Sequence, residues 1–145
     1  MLIETHAPAT ARDAIEIAAD AKSVWDLLAD IDHWPLWHPA VSRARTEGPV
    51  APGTVFRWKA GGIAITSTLR EVEPGRALAW TGHAIGSDAV HSFTLTPTAG
   101  GVRVATEENL DGWLVRLLPG TFRKTLQKGL AEMLAALKAA AETKI

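Results

Sequence analysis

Residues 122–141, FRKTLQKGLAEMLAALKAAA, are the stretch that decides the fold. Apolar side chains recur here at steps of three and four residues, while lysine, arginine and glutamate point elsewhere. The apolar positions are Phe122, Leu126, Leu130, Met133, Leu134, Leu137 and Ala141. At about 1.5 Å per residue the spacing predicts one helix of roughly 30 Å. Its apolar face needs a large apolar partner.

A sheet is the expected partner. From Val41 to Asn109 apolar and polar residues alternate, which is the period of a strand with one buried face. Turn-forming pairs interrupt the alternation at Pro52-Gly53, Gly61-Gly62, Pro74-Gly75, Gly86-Ser87 and Gly100-Gly101. Glycine tolerates positive φ and proline fixes the first turn position, so these segments are predicted to be antiparallel hairpins. With an opening strand near Arg12 to Ala18, about six to seven strands are expected.

The alternation also assigns the two faces of this sheet. The predicted covered face carries Phe56, Trp58, Ile63, Ile65, Leu69, Leu78, Trp80, His91, Phe93, Leu95, Val102, Val104 and Thr106. Threonine, serine, arginine and lysine dominate the opposite face, which is expected to face solvent. The long helix is therefore expected to lie against the first face.

Two shorter elements precede the hairpins. Asp20 is a predicted N-cap for a helix that places Val24, Trp25 and Leu28 on one face and ends near Asp30. The sequence DHWPLWHP of residues 32–39 follows, with two indoles within four residues and two prolines. Proline limits such a segment to about one helical turn. We expect both elements to fold over one end of the sheet.

Composition and charge narrow the function classes. The chain has 145 residues, 47% hydrophobic and 21% charged, which fits a single domain over residues 1–145. Basic and acidic residues number 15 and 16, and no basic run exceeds Arg123-Lys124, so neither nucleic acid nor membrane is an expected partner. Cysteine is absent, and no signal-peptide pattern is seen at Met1 to Ala11. A cytoplasmic location is expected.

The dimensions of these elements predict a cavity. A seven-stranded sheet is about 30 Å wide, whereas a helix with its side chains is about 10 to 12 Å across. One helix cannot cover such a sheet, so the sheet is expected to curl around it. Space should then remain between the two, lined or filled by the large aromatic side chains.

Several motifs along the chain carry a family resemblance. They are Glu16-Ile17, residues 23–30 (SVWDLLAD), Trp34-Pro35 with Trp37 and Pro39, Pro52-Gly53-Thr54 before Phe56, Glu73-Pro74-Gly75-Arg76, Leu78-Ala79-Trp80, Thr106-Glu107-Glu108 and the closing helix. With these motifs the chain resembles the START-like helix-grip superfamily, specifically the SRPBCC group of polyketide cyclase/dehydrase-like and lipid-transport-like proteins. The resemblance implies an α+β helix-grip fold: a curved antiparallel sheet around the C-terminal helix, with two short helices near the N-terminus.

The resemblance also implies a deep, mostly apolar cavity. The leading hypothesis is therefore a protein that binds an apolar or aromatic small molecule, lipid-like or polyketide-like, without a cofactor. The expected ligand-binding residues are Trp34, Trp37, Phe56, Trp58, Ile65, Leu69, Trp80, His91, Phe93, Glu108, Trp113, Phe122 and Leu126.

His91 and Glu108 carry the alternative hypothesis. Both fall on the covered face of neighbouring strands, so a carboxyl beside an imidazole is expected in an apolar pocket. A cyclase- or dehydratase-like enzyme would use this pair for acid-base chemistry, whereas a purely structural pair would satisfy itself or bind a water. A co-chaperone-like interaction module is a third alternative.

The remaining candidate residues offer little chemistry. His83 is predicted to be exposed, and His33 and His38 flank the Trp/Pro segment without a metal-binding spacing. No metal motif or phosphate loop is found, and Gly86-Ser87-Asp88 is a turn and not a nucleophile elbow. A monomer and a homodimer both remain open.

Overall fold

A computed structural model describes residues 7–143 of the chain. The elements run in the order β1 (Ala9–Ile17), α1 (Ala21–Ala29), a 3₁₀ helix (Ile31–Leu36), β2 (Val41–Thr46), β3 (Val55–Ala60), β4 (Ile63–Glu73), β5 (Ala77–Ala84), β6 (Ser87–Thr98), β7 (Gly101–Asp111), α2 (Trp113–Leu117) and α3 (Pro119–Thr143). The expected α+β architecture is confirmed: hairpin strands, two short helical elements near the N-terminus and a long final helix.

The strands form a seven-stranded antiparallel sheet in the order β1-β7-β6-β5-β4-β3-β2. Strands β2 to β7 are consecutive hairpins, as the turn pairs predicted, and β1 pairs with β7 from Ala9↔Leu110 to Ile17↔Val102. Strand β1 begins at Ala9, three residues earlier than the sequence pattern indicated. Ala9 and Ala11 are both buried there, but alanine is too small to stand out as an apolar position in the sequence pattern.

One row of residues across the concave face positions the site. The strand registers place Ala11 opposite Glu108, Glu108 opposite His91, His91 opposite Trp80, and Trp80 opposite Leu69. Directly opposed residues on antiparallel strands project to the same side of the sheet. A small residue, a carboxyl, an imidazole and an indole therefore stand side by side.

Helix α1 begins where the sequence predicted. Asp20 is its N-cap, and the Asp20 Oδ1 atom accepts a hydrogen bond from the Ser23 backbone N–H at 2.8 Å. Val24, Trp25 and Leu28 are buried, as the apolar spacing required. The helix thus directs Leu28 into the interior beneath the 3₁₀ helix.

Helix α3 lies along the sheet edge formed by β1. Side chains from α3 donate hydrogen bonds to β1 and to the residue that precedes it: Arg123 Nη1 to Pro8 O (3.3 Å), Gln127 Nε2 to Arg12 O (3.1 Å) and Lys138 Nζ to Glu16 O (3.0 Å). These contacts satisfy carbonyl groups of an edge strand and block further strand pairing there. The buried residues of α3 all lie from Leu130 onward: Leu130, Met133, Leu134, Leu137 and Ala141.

The centre of the concave face is filled by aromatic rings, not by α3. The 3₁₀ helix inserts Trp34, whose ring centroid lies 5.6 Å from Phe56, 5.3 Å from Trp58 and 5.4 Å from Trp80. Trp34 is 3% exposed, and its indole N–H donates to Leu28 O at 2.9 Å. Offset and edge-to-face ring contacts of this kind stabilise a core beyond the area they bury. The 3₁₀ helix is therefore a structural wedge as well as a cap.

Gly112 makes the turn from β7 into α2. Its φ is +121°, and a Cβ at this position would lie 2.5 Å from Gly86 O. The Leu114 N–H donates to the same Gly86 carbonyl at 3.1 Å. Only glycine allows α2 to approach the β5–β6 turn so closely.

Candidate functional site

A cavity of about 20 Å³ lies beneath the 3₁₀ helix, on the concave face of the sheet. Its lining consists of Leu28, Trp34, Trp37, His38, Trp58, Trp80, His91, Phe93 and Met133. A space of this size holds about one water molecule. The wide hollow expected from the dimensions of sheet and helix is thus largely occupied by the indole rings, because Trp34 reaches the middle of the trough.

Six of the expected ligand-binding residues meet at this cavity. They are Trp34, Trp37, Trp58, Trp80, His91 and Phe93. Leu28, His38 and Met133 also line it, although none of them was among the expected ligand-binding residues. Leu28 and Met133 were predicted only as buried helix positions, and His38 had one signal, its place beside Trp37 in the Trp/Pro segment.

The other expected residues lie elsewhere. Phe56 and Leu69 are fully buried core side chains beside the cavity, and Ile65 is half-buried on β4. Phe122 and Leu126 are half-buried on the first half of α3, which follows β1 instead of the sheet centre. Trp113 is 64% exposed, because α2 packs on the β5–β6 turn outside the sheet. The structure therefore corrects the expectation that Trp113 lines the interior.

His91 is held by a short hydrogen-bond chain. His91 Nε2 lies 2.9 Å from Thr106 Oγ1, and the Thr106 hydroxyl donates to Ser92 O at 2.9 Å. A threonine hydroxyl has one proton, and a backbone carbonyl only accepts. The proton between the ring and Thr106 must therefore belong to His91 Nε2, which leaves a lone pair on Nδ1 of the neutral ring.

Glu108 stands beside that lone pair, as the hypothesis of an adjacent carboxyl and imidazole required. The Glu108 Oε1 atom lies 3.5 Å from His91 Nδ1, and the two side chains are 19% and 8% exposed. Burial raises the pKa of Glu108 from 4.5 to about 7. Burial, together with the nearby His38, lowers the pKa of His91 from 6.5 to about 3. Desolvation thus favours the neutral form of both groups.

His38 brings a second imidazole to the cavity. Burial lowers its pKa from 6.5 to about 4. Among residues 7–143, the Nδ1 atoms of His38 and His91 are both buried without a hydrogen-bond partner. Such atoms are uncommon in folded proteins, because an unmet buried polar group is costly.

The remaining histidines lie on the surface. His83 Nδ1 pairs with Asp88 Oδ1 at 2.7 Å, and both side chains are exposed, as predicted for His83. His33 Nδ1 contacts the Asp30 carboxylate at 2.8 Å and is exposed as well. Within residues 7–143, no group of three or more histidine or acidic side chains is placed to hold a metal ion. In the same range no helix has the length and apolarity needed to cross a membrane.

The comparison with protein families agrees with this architecture. Residues 8–142 match the family described as polyketide cyclase / dehydrase and lipid transport. The chain belongs to this family. No curated protein is similar enough in sequence to count as a relative.

Several solved structures resemble the chain over almost its whole length. A hypothetical protein from Helicobacter pylori superposes with a TM-score of 0.84 at 19% identity, with 96% of this chain and 91% of that chain covered. A START superfamily protein from Mycobacterium smegmatis gives 0.81 at 13% identity, covering 94% and 99%. The di-domain ARO/CYC protein StfQ from the steffimycin biosynthetic pathway gives 0.78 at 19% identity, covering 94% of this chain and 51% of that one. These likenesses show the helix-grip fold.

Proposed function

We propose that this protein binds an apolar or aromatic small molecule in its interior, between the sheet and α3. The observation that carries the proposal is the pair of buried imidazole Nδ1 atoms, on His38 and His91, that lack partners among residues 7–143 in an otherwise apolar cavity. Ligand sites in proteins combine apolar walls with a few polar groups in this way. The family description, which includes lipid transport, supports the same class of guest.

A guest larger than one water molecule requires ring movement, because the cavity measures about 20 Å³. Of the lining residues, Trp37, His38 and Trp58 are half-buried, so the cavity lies closest to solvent there. A tether holds the adjacent 3₁₀ helix to β2, since Asp32 Oδ1 accepts from the Thr46 backbone N–H at 2.7 Å and from Thr46 Oγ1 at 3.1 Å. This tether consists of two solvent-exposed hydrogen bonds, so it restrains the 3₁₀ helix only weakly. We place the opening at Trp37, because movement of this half-buried ring exposes little buried area.

The experiment is calorimetric titration of the protein with naphthalene, a flat apolar probe. We expect one site per chain, lost in Met133→Trp, which fills the cavity from α3. Trp113→Ala is the matched control, because Trp113 is the most exposed indole and probes adhere to exposed rings. Binding that vanishes in Trp113→Ala and survives in Met133→Trp would place the probe on the surface and refute the proposal.

His91 and Glu108 support a second candidate, an acid-base enzyme of cyclase or dehydratase type. A protonated Glu108 and a neutral His91, 3.5 Å apart, supply one proton donor and one acceptor at the same place. The structural likeness to an ARO/CYC protein agrees with this chemistry. Turnover of a short poly-β-ketone thioester should fall at least a hundredfold in His91→Ala and Glu108→Gln, by the usual scale of general acid-base catalysis. Equal turnover in wild type and both variants would exclude the enzyme.

A single domain, a cytoplasmic location and a monomeric or homodimeric state remain predictions. Gel filtration with light scattering decides the last of these.

A further inference from the structure

The hydrogen bonds of His91 define which of its ring nitrogens is a donor and which is an acceptor. His91 Nε2 carries the ring proton, because the Thr106 hydroxyl spends its only proton on Ser92 O at 2.9 Å. His91 Nδ1 is therefore a hydrogen-bond acceptor. The residue is 6% exposed, and its Nδ1 has no hydrogen-bond partner among residues 7–143.

The nearest polar neighbour leaves this acceptor unmet. The Glu108 Oε1 atom is 3.5 Å from His91 Nδ1, which exceeds the usual length of a hydrogen bond between nitrogen and oxygen. A hydroxyl group placed at Nδ1 would donate to the imidazole and accept from the carboxyl when that group is protonated. The cavity that His91 helps to line has the volume of about one water molecule, which is enough for one hydroxyl group.

Two indole N–H donors of the cavity lining are already engaged. The Trp34 indole N–H donates to Leu28 O at 2.9 Å, and the Trp58 indole N–H donates to Ser67 Oγ at 3.0 Å. His38 adds a second buried Nδ1 without a partner among the residues described. At His91 the unmet requirement is for a hydrogen-bond donor, while most of the remaining lining is aromatic and aliphatic.

We propose that the preferred guests of this cavity are aromatic molecules that carry a free hydroxyl group, recognised by a hydrogen bond from that hydroxyl to His91 Nδ1. This inference rests on the proposed function and adds the chemical class of the ligand. A ketone or an ether at the same place accepts a hydrogen bond from Glu108 when that carboxyl is protonated, but it leaves His91 Nδ1 without a donor. The site therefore selects for O–H over C=O and O–CH₃ on rings of equal size.

The test compares naphthalene, 2-naphthol and 2-methoxynaphthalene by calorimetric titration at neutral pH. For wild type we expect 2-naphthol to bind about tenfold more tightly than 2-methoxynaphthalene, the scale set by one otherwise unpaired buried acceptor. In His91→Phe, which keeps a flat ring and removes the acceptor, the two probes should bind alike. His83→Phe is the matched control, because it makes the same change at an exposed position, and the tenfold preference should persist.

The outcomes separate this inference from the proposed function. Equal binding of all three probes to wild type would overturn the hydroxyl preference and leave interior binding intact. Binding of none would overturn the proposed function itself. If His91→Phe fails to fold, the nitrogen-15 shift of His91 Nδ1 in wild type decides: it should move when 2-naphthol is added and stay fixed with 2-methoxynaphthalene. A preference that persists in His91→Phe, or a fixed shift with 2-naphthol, would refute the assignment.

Discussion

Replacement of Glu108 by glutamine should abolish a pH-dependent loss of stability. In the unfolded chain this carboxyl titrates near 4.5, and in the folded protein burial raises its pKa to about 7. Between these values the folded state holds a proton that the unfolded chain has released. The stabilisation is therefore complete below pH 4.5 and is lost as the pH rises through 7.

The magnitude follows from that interval. One pKa unit corresponds to about 1.4 kcal/mol, so integration from about pH 5 to about pH 8 gives a loss of roughly 2.5 kcal/mol in the free energy of unfolding. Glu108→Gln mimics the protonated acid in size and hydrogen bonding, and its neutral amide does not titrate. The difference in free energy of unfolding between Glu108→Gln and wild type should therefore shift by about 2.5 kcal/mol in favour of the variant between about pH 5 and about pH 8.

Urea unfolding followed by tryptophan fluorescence measures this difference. The pKa of His91 and that of His38 are lowered by burial, so their stabilisation is lost in the opposite direction, as the pH falls from 6.5 towards about 3 and about 4. These histidine effects cancel when wild type and variant are compared at each pH. Glu107→Gln, one residue away on the other face of the sheet, is the control for the substitution itself, and the gain should be specific to Glu108→Gln. Parallel pH profiles for wild type and Glu108→Gln would refute the reasoning.

Three further substitutions test the packing. Trp34→Ala should lower the free energy of unfolding by about 3 to 5 kcal/mol, as for large core aromatics in general, and a loss under about 1 kcal/mol in urea unfolding would show that Trp34 is no wedge. Trp37→Ala removes a half-buried ring, so it should cost less than Trp34→Ala and change naphthalene affinity in calorimetry; the reverse order would misplace the opening. Asp20→Ala deletes the cap of α1 and should lower the free energy of unfolding by about 1 kcal/mol, measured by thermal unfolding. An unchanged melting temperature would show that the cap does not stabilise the helix.

Much of the fold could be predicted from local pattern. The hairpin turns, the cap at Asp20 and the spacing of the final helix are short-range signals. The structure has the hairpins, the cap and the long helix at the positions that these signals predicted. Strand β1 began early because Ala9 and Ala11 are too small to register as an apolar alternation. The pairing of His91 with Glu108 also followed from strand parity, since a hairpin fixes which residues stand opposite.

The interior could not be predicted to the same extent. Sheet and helix dimensions predict space in the trough between them, but they do not say how much of it the side chains fill. The answer depends on where the chain between α1 and β2 turns Trp34, which is a matter of tertiary packing. The same packing sends α3 along β1, leaves Phe122 and Leu126 half-buried and carries Trp113 to the surface. His38 entered the site by the same turn of the chain.

The methyl group of Met133 offers the most direct test of interior binding. The chain has two methionines, Met1 and Met133, and Met133 lines the cavity, so a protein labelled with carbon-13 at the methionine methyl groups reports the interior with one signal. We predict that addition of 2-naphthol shifts the Met133 resonance to a saturating limit and that Trp113→Ala leaves this response unchanged. A Met133 resonance that stays fixed while the probe binds elsewhere on the protein would contradict the account.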